Sequence, residues 1–180
     1  MNEKTAYQPI RSALMLACLI LSALYQDAAY AETVLQEAQA IKVHDGDTVT
    51  LMIKGKMVKT RLIGIDAPEM GQRPWGRRAR EHLVGIIKDS GWIVYVETDI
   101  VKRDKYDRLL AYLRTKQDAI INERMLQDGH AVLFTISPNV KYVAEFTRAE
   151  RRARSENKGL WASNGLKEKP FTYRKKHPRQ

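Results

Sequence analysis

The sequence contains a single cysteine, Cys18, which lies in an apolar run near the N-terminus. One cysteine cannot form a disulfide within the chain, and loss of the N-terminal segment would also exclude thiol chemistry. The four histidines lack the spacing of metal ligands, and the chain has no internal repeats. Any catalytic or metal chemistry must therefore come from other residue types.

Acidic residues are in the minority, with 21 Asp and Glu against 31 Lys and Arg, which gives a formal net charge of +10. This balance favours a polyanionic partner, either nucleic acid or an anionic membrane surface. The alternative is a soluble protein with a solvated basic face. An apolar content of 44% is sufficient for a hydrophobic core.

Residues 1–31 have the pattern of a secretory signal peptide. A basic start precedes an uninterrupted apolar run from Ser12 to Tyr25, and "AYA" at 29–31 supplies the small residues of a cleavage signal. The run is short for a membrane span. We expect cleavage after Ala31, a mature form without a membrane segment, and a secreted or periplasmic location. An uncleaved N-terminal anchor is the alternative.

Short alternating and β-branched segments predict five strands, and three other segments have helical periodicity, with Asn122 as the cap of the second helix. Such an order predicts an α+β fold that is mainly a β barrel, namely a five-stranded OB-fold barrel with three α-helices. The domain is expected to span 32–163. Residues 164–180 are basic and interrupted by proline, so we expect a disordered or loosely docked tail. The predicted strands are residues 41–43, 48–53, 57–65, 92–98 and 109–115, and the predicted helices are residues 73–91, 121–129 and 137–159.

One acidic motif stands at the start of the second predicted strand, and another stands at the end of the third. "TRLIGIDAPE" carries Arg61, Asp66 and Glu69, and "HDGDT" carries Asp45 and Asp47. Taken singly, each could be a turn, strand or surface residue. Asp47, Asp66 and Glu69 would form a cluster of hard oxygen ligands if their strands lie side by side. Such a cluster favours Ca²⁺ or Mg²⁺ over zinc.

A divalent cation beside arginines is typical of a phosphate site, because arginine clamps phosphate oxygens with two parallel donors. Arg61 is one candidate, and Arg108 in "DKYDR" is a second, next to Tyr106, whose ring could stack on a base. Strict strand alternation places Arg61 and Asp66 on opposite faces. Both can reach one site only if the strand bends, and we expect the bend at Gly64.

These motifs, together with "LLAYL", "SPN" and "KGLW" in this order, resemble the staphylococcal nuclease (thermonuclease) family over residues 38–161. The resemblance implies an OB-fold barrel with three helices and hydrolysis of DNA and RNA with little sequence specificity. It implies dependence on Ca²⁺, with Mg²⁺ as the alternative, and cleavage that leaves the phosphate on the 3′ side. No stable protein partner is implied, and we expect a monomer.

The resemblance also implies a role for each matching residue. The metal ligands would be two carboxylates and one backbone carbonyl, a glutamate would activate or orient the attacking water, and two arginines would bind and polarise the phosphate. Aromatic side chains would contact the substrate. In that order, these residues are Asp47, Asp66 and Ala67 for the metal, Glu69 for the water, Arg61 and Arg108 for the phosphate, and Tyr106 and Phe134 for the substrate.

Three departures from the family pattern affect these expectations. Asp107 stands where the family more often has glycine, Phe134 and Ile136 replace two nucleotide-binding tyrosines, and the segment after Glu69 is short. The rival function is a catalytically inactive nuclease-like OB domain that binds nucleic acid or a protein partner. Such relatives typically lose some of the acids or arginines, and all are present here, which favours the enzyme.

Overall fold

The computed structural model of the protein describes residues 35–178. The predicted signal peptide, residues 1–31, lies outside the described residues, so its cleavage stays a prediction. Within the described part of the chain, no helix is long and apolar enough to cross a membrane.

Five strands close into a barrel, namely β1 (Gln36–Val43), β2 (Thr48–Ile53), β3 (Lys56–Leu62), β5 (Ile93–Glu97) and β6 (Leu109–Arg114). Their order is β1-β2-β3-β6-β5, with β5 pairing back onto β1. All neighbouring pairs are antiparallel except β3 and β6, which run parallel. The predicted five-stranded OB-type barrel is therefore confirmed.

Alternating strand residues fill the barrel, which is why their apolar side chains recur every second position. Val49 and Leu51 of β2, together with Leu62 of β3, are fully buried. Each such side chain contributes about 1.5–3 kcal/mol through its burial. The core extends onto a helix whose buried residues Ala79 and Leu83 lie one turn apart.

The strand predicted over residues 57–65 is broken into two. β3 ends at Leu62, and the chain leaves the barrel as β4 (Gly64–Asp66), which pairs with β7 (Val132–Phe134). Gly64 has φ +80°, a conformation that residues with a Cβ rarely adopt. A Cβ there would also lie 2.5 Å from a ring carbon of Phe146. The predicted bend at Gly64 is confirmed.

The three predicted helices are α1 (Trp75–Asp89), α2 (Ile121–Gln127) and α3 (Val143–Ser155). A 3₁₀ turn at Gly159–Trp161 follows α3. The predicted cap was wrong, because Ile120 stands at the cap of α2 and Asn122 lies inside the first turn. The buried Asn122 amide donates to Ile63 O and accepts from Leu113 N–H, so it ties α2 to the barrel.

A fourth helix, α4 (Pro170–Lys176), lies in the segment that the sequence predicts to be a disordered or loosely docked tail. Proline suits the first turn of a helix, because that position needs no N–H donor. Pro170 is buried, and the ring of Phe171 lies 5.6 Å from that of Phe134. Helix α4 docks on the domain through these apolar contacts. The many charged residues of this segment gave no indication of them.

Candidate active site

A cleft of about 950 Å³ opens beside the junction of β3 and β4. Its lining combines charged residues from the strands with aromatic and apolar residues from the loops and from α4. Most of the residues singled out from the sequence line it, namely Asp47, Arg61, Glu69, Tyr106, Arg108 and Phe134. Asp66 is fully buried and Ala67 nearly so.

Arg61 joins the two acidic motifs. Its Nη1 lies 2.8 Å from Asp47 Oδ2, and its Nη2 lies 3.2 Å from Asp66 Oδ1. The guanidinium also donates to the carbonyl oxygens of Leu62 and Ile65, at 3.0 Å each. These bonds hold a permanently charged, planar group in one orientation at the cleft. The predicted proximity of Arg61, Asp47 and Asp66 is therefore present.

Asp47 is held from several sides at the start of β2. The Ala67 N–H donates to Asp47 Oδ2 at 2.7 Å, and the Thr48 hydroxyl donates to Oδ1 at 3.1 Å. Its own N–H donates to Asp45 Oδ1, so the first acid of the motif, Asp45, forms part of the turn. Burial raises the pKa of Asp47 to about 7, although Arg61 acts in the opposite direction.

Asp66 is the most deeply placed acid of the site. Its Oδ1 contacts both Arg61 and Arg174, whereas its buried Oδ2 has no hydrogen-bond partner within the described part of the chain. A buried carboxylate oxygen without a donor is costly unless a cation satisfies it. The oxygen-only donor set of Asp47 and Asp66 fits a hard divalent cation. Among the described residues, no group of three or more His, Cys, Asp or Glu could hold a metal.

Glu69 lies in the short connection between β4 and α1. Its N–H donates to Gln72 Oε1 at 3.0 Å, and its carbonyl accepts from the Gln72 N–H at 2.8 Å. Its Oε1 lies 3.0 Å from Arg174 Nη1. The connection thus forms a tight turn that presents the carboxylate at the cleft, and a residue of α4 contacts that carboxylate.

Arg108 is anchored by Asp104, because its Nε and Nη2 both lie 2.7 Å from Asp104 Oδ2. Burial alone would raise the pKa of Asp104. The bonds with Arg108 outweigh burial and lower this pKa, so the pair stays ionised. The Asp107 side chain is 85% exposed and pairs with Arg103, so it does not contact Arg108. Asp107 has φ +60°, which explains why glycine suits this position, and aspartate tolerates it better than most residues.

Aromatic and apolar side chains from later in the sequence also line the cleft. Tyr106 is 69% exposed, and its ring lies 5.6 Å from the Arg108 guanidinium carbon. Phe134 packs against Phe171 of α4. Ile136, at 64% exposure, also lines the cleft. The Phe134 ring can stack on a base, whereas the side chains of Phe134 and Ile136 cannot donate a hydrogen bond.

A family model described as "Staphylococcal nuclease homologue" matches residues 59–163, which is more than half of the chain. The chain belongs to the staphylococcal nuclease family. The matched range contains Arg61, Asp66, Glu69 and Arg108, and so includes both arginines and two of the three acids of the site.

Individual relatives agree with this family membership. The chain is 29% identical to the thermonuclease of Staphylococcus hyicus over 133 residues, covering 71% of this chain and 77% of the relative. It is 32% identical to the SPbeta prophage-derived endonuclease YokF of Bacillus subtilis over 127 residues, covering 67% and 42%. Endonuclease YncB of the same species is 31% identical over 127 residues, covering 67% and 59%. The match thus spans less than two thirds of YokF and of YncB.

Sequence reasoning missed two residues of this nuclease-family site. Arg174 comes from the segment expected to be disordered or loosely docked, yet it contacts both Asp66 and Glu69. Gln72 is 7% exposed and braces the turn that carries Glu69. A proline followed by Phe171 and Arg174 at helical spacing was the available signal for a docked helix, but seven residues are too few to establish a period.

Proposed function

We propose that this chain is an endonuclease that hydrolyses phosphodiester bonds of DNA and RNA with little sequence specificity. One observation supports this proposal above the others. Arg61 pairs with Asp47 and Asp66 beside a cleft that Glu69 and Arg108 also line. Fixed cations next to paired carboxylates and an additional acid suit phosphoryl transfer, in which charge develops on the phosphate oxygens. The endonuclease and thermonuclease names of its relatives agree with the proposal.

The proposal includes a Ca²⁺ ion, with Mg²⁺ as the alternative, held by Asp47, Asp66 and the carbonyl of Ala67. Such an ion neutralises charge on the phosphoryl oxygens when it is bound. The buried, unpartnered Oδ2 of Asp66 supports a cation at this place. Asp47 is also buried, and a cation would compensate its charge there.

Glu69 is proposed to accept a proton from the attacking water or to orient that water. General-base catalysis requires a carboxylate within hydrogen-bond reach of the proton, and Glu69 borders the cleft. Arg61 and Arg108 would bind the phosphate and stabilise the additional charge of the five-coordinate transition state. Both guanidinium groups are already oriented by carboxylates, so little reorganisation is needed when the charge develops.

Substrate contacts beyond the phosphate are assigned to Tyr106 and Phe134. An exposed tyrosine beside Arg108 can stack on a base, and stacking tolerates all bases, in keeping with little sequence specificity. The net charge of +10 favours binding to either nucleic acid. Products with a 3′-phosphate complete the proposal and are read directly by end-labelling of a cleaved oligonucleotide.

The deciding experiment is cleavage of plasmid DNA and of a labelled RNA by the purified chain, with Ca²⁺, with Mg²⁺ and with excess chelator. We expect cleavage with Ca²⁺ that the chelator abolishes. The rival function, an inactive OB domain, predicts binding of the labelled oligonucleotide without any cleaved product. A gel-shift measurement on the same samples separates these two outcomes.

Location is part of the same proposal. A secreted or periplasmic nuclease would start at Glu32 after signal-peptide cleavage. N-terminal sequencing of protein recovered from outside the cytoplasm measures this directly. Protein that retains Met1 and remains in the membrane fraction would support the uncleaved anchor instead.

A further inference from the structure

The C-terminal segment contacts the connection that carries Glu69 at three points. The Gln72 side-chain amide donates to the backbone carbonyl of Glu168 at 2.8 Å. Arg174 contacts the Glu69 carboxylate. The hydroxyl of Tyr173 lies so close to Gly71 that a Cβ on the glycine would be 2.6 Å from it. Helix α4 therefore packs along this connection instead of extending away from the domain.

The C-terminal segment is connected first to the backbone of Glu69, through the side chain of Gln72. Gln72 is buried, and its side-chain amide forms one hydrogen bond as an acceptor and one as a donor. The Oε1 atom accepts from the Glu69 N–H, and the Nε2 atom donates to Glu168 O. One side chain thus fixes the backbone of Glu69 relative to the segment that leads into α4.

The second connection is a direct contact between Arg174 and the Glu69 carboxylate. Arg174 Nη1 lies 2.8 Å from Asp66 Oδ1 and 3.0 Å from Glu69 Oε1, so one guanidinium bridges two acids. The arginine side chain stays protonated in proteins, so Arg174 supplies a permanent positive charge and a planar set of donors beside these two carboxylates.

We propose that α4 positions the Glu69 carboxylate for its reaction with water, and that Arg174 is the positioning residue. This inference rests on the proposed function of Glu69. A carboxylate accepts several hydrogen bonds, so a donor on one oxygen fixes its plane while the group keeps further acceptor capacity. In this chain α4 lies against the connection that carries Glu69, and it supplies this donor. Arg174 is thus part of the active site, although it lies far from Glu69 in sequence.

The direct test is Arg174→Ala, measured by single-turnover cleavage of a short labelled oligonucleotide at saturating Ca²⁺. A displacement of about 1 Å at a reacting group costs about 10²-fold in rate, so we expect a loss of roughly 10- to 100-fold. The affinity for the oligonucleotide should stay within about twofold, because Arg174 is paired with acids and not with phosphate. Added guanidinium ion at millimolar concentration should restore part of the rate.

The matched control is Lys176→Ala, which removes the same charge from the same helix. Lys176 pairs with Glu168 at 2.5 Å, and it lies outside the lining of the cleft. This variant should cleave like the parent. A second comparison places Arg174→Ala in the Glu69→Gln background. If Arg174 acts through Glu69, the double variant should be no slower than Glu69→Gln alone.

Amide hydrogen exchange of residues 69–73 supplies a readout that does not depend on cleavage. It should accelerate in Arg174→Ala and stay unchanged in Lys176→Ala, when both are measured at a temperature at which the two variants are fully folded. Cleavage by Arg174→Ala at or above the parent rate would overturn the inference while the proposed function stands. If the parent itself fails to cleave, the proposed function fails, and unchanged exchange in Arg174→Ala then overturns the positioning as well.

Discussion

Arg61 Nη2 contacts Asp66 Oδ1 at 3.2 Å, although strict strand alternation would place these two residues on opposite faces of a sheet. The contact exists because β3 ends at Leu62 and the chain turns out of the barrel at Gly64. Arg61 then donates to Leu62 O and Ile65 O on both sides of the bend. The bend at Gly64 thus brings Arg61, which we propose binds the phosphate, next to Asp66.

We therefore predict that Gly64→Ala is strongly destabilising. The alanine must adopt φ +80° and place a Cβ about 2.5 Å from the ring of Phe146. Overpacking costs about 1–3 kcal/mol, and an unsuitable backbone conformation costs about 1–2 kcal/mol more. Urea unfolding should show a loss of about 2–5 kcal/mol.

Gly55→Ala is the matched control for this prediction. Gly55 has φ +76°, but a Cβ there has no neighbour within 4 Å. Its loss should be confined to backbone strain, about 1–2 kcal/mol. Equal losses in the two variants would show that the Phe146 contact does not matter.

Much of the fold follows from local sequence patterns. Val49 and Leu51 mark the inward face of β2, and the apolar period of α1 identifies the helix that covers the barrel. The short motifs around Asp47 and Asp66 place the acids at strand ends. These features depend on residues near one another in sequence, so periodicity and turn chemistry are sufficient to predict them.

The rest depends on contacts that no local pattern encodes. Arg174 pairs with Glu69 from 105 positions away. Asn122 looks like a helix cap but bonds with the backbone of the barrel. Strand β7 has three residues, too few to show alternation. In each case a polar or short segment acquires its structure from a surface that forms only when the domain folds.

Asp66→Asn should abolish calcium binding measured by calorimetry. Asparagine retains the shape of the side chain but removes the negative charge on the buried Oδ2, which has no hydrogen-bond partner in the described part of the chain. The change also leaves Arg61 and Arg174 beside a neutral group, so stability should fall together with calcium affinity. Asp107→Asn removes one exposed carboxylate as a control and should bind calcium like the parent. Unchanged calcium affinity in Asp66→Asn would refute the metal assignment.

Glu69→Gln should slow single-turnover cleavage by about 10²- to 10⁴-fold, the usual contribution of a general base. Glutamine retains the size of the side chain but cannot accept a proton as a carboxylate. Binding of the oligonucleotide should change little. A variant within about twofold of the parent would exclude Glu69 as the base, leaving Asp45, or direct activation of the water at the proposed metal site, as the next candidates.

Arg108→Lys should lower the cleavage rate for a different reason. Lysine retains the charge but loses the planar fork that Asp104 now orients through two contacts of 2.7 Å. Combining this change with Glu69→Gln should cost less than the product of the two separate losses, because both residues act on one transition state. Fully multiplicative losses would indicate that the two residues act in separate steps.

Glu97→Gln should destabilise the domain without changing calcium affinity. The Glu97 carboxylate is 1% exposed and contacts Arg114 at 3.0 Å, Lys141 at 2.5 Å and the Tyr142 hydroxyl at 2.8 Å. Although burial acts in the opposite direction, these donors lower the pKa of Glu97. Removing its charge takes a buried acid away from Arg114 and Lys141, which costs about 3 kcal/mol. Urea unfolding measures the loss, and an unchanged midpoint would contradict it.

His130 has an environment that makes stability depend on pH. Its ring stacks on His82 with centroids 4.1 Å apart, and its buried Nδ1 has no hydrogen-bond partner in the described part of the chain. Burial lowers the pKa of His130 to about 4. His82 and Arg78 act in the same direction, and Asp128 opposes them.

We predict that His130→Phe becomes more stable relative to the parent as the pH falls. In the parent, the unfolded chain protonates His130 near its ordinary pKa of about 6.5, whereas the folded chain does so only near pH 4. The unfolded state therefore binds more protons between these values, and the free energy of unfolding falls as the pH falls. Phenylalanine retains the stacked ring and cannot titrate. Its contribution to the free energy of unfolding therefore does not fall with pH. Urea unfolding at pH about 7 and about 4.5 should give a difference between variant and parent that changes by about 1–2 kcal/mol, after allowance for solvent screening. A difference that stays constant across this range would mean that His130 protonates equally easily in the folded and unfolded chain.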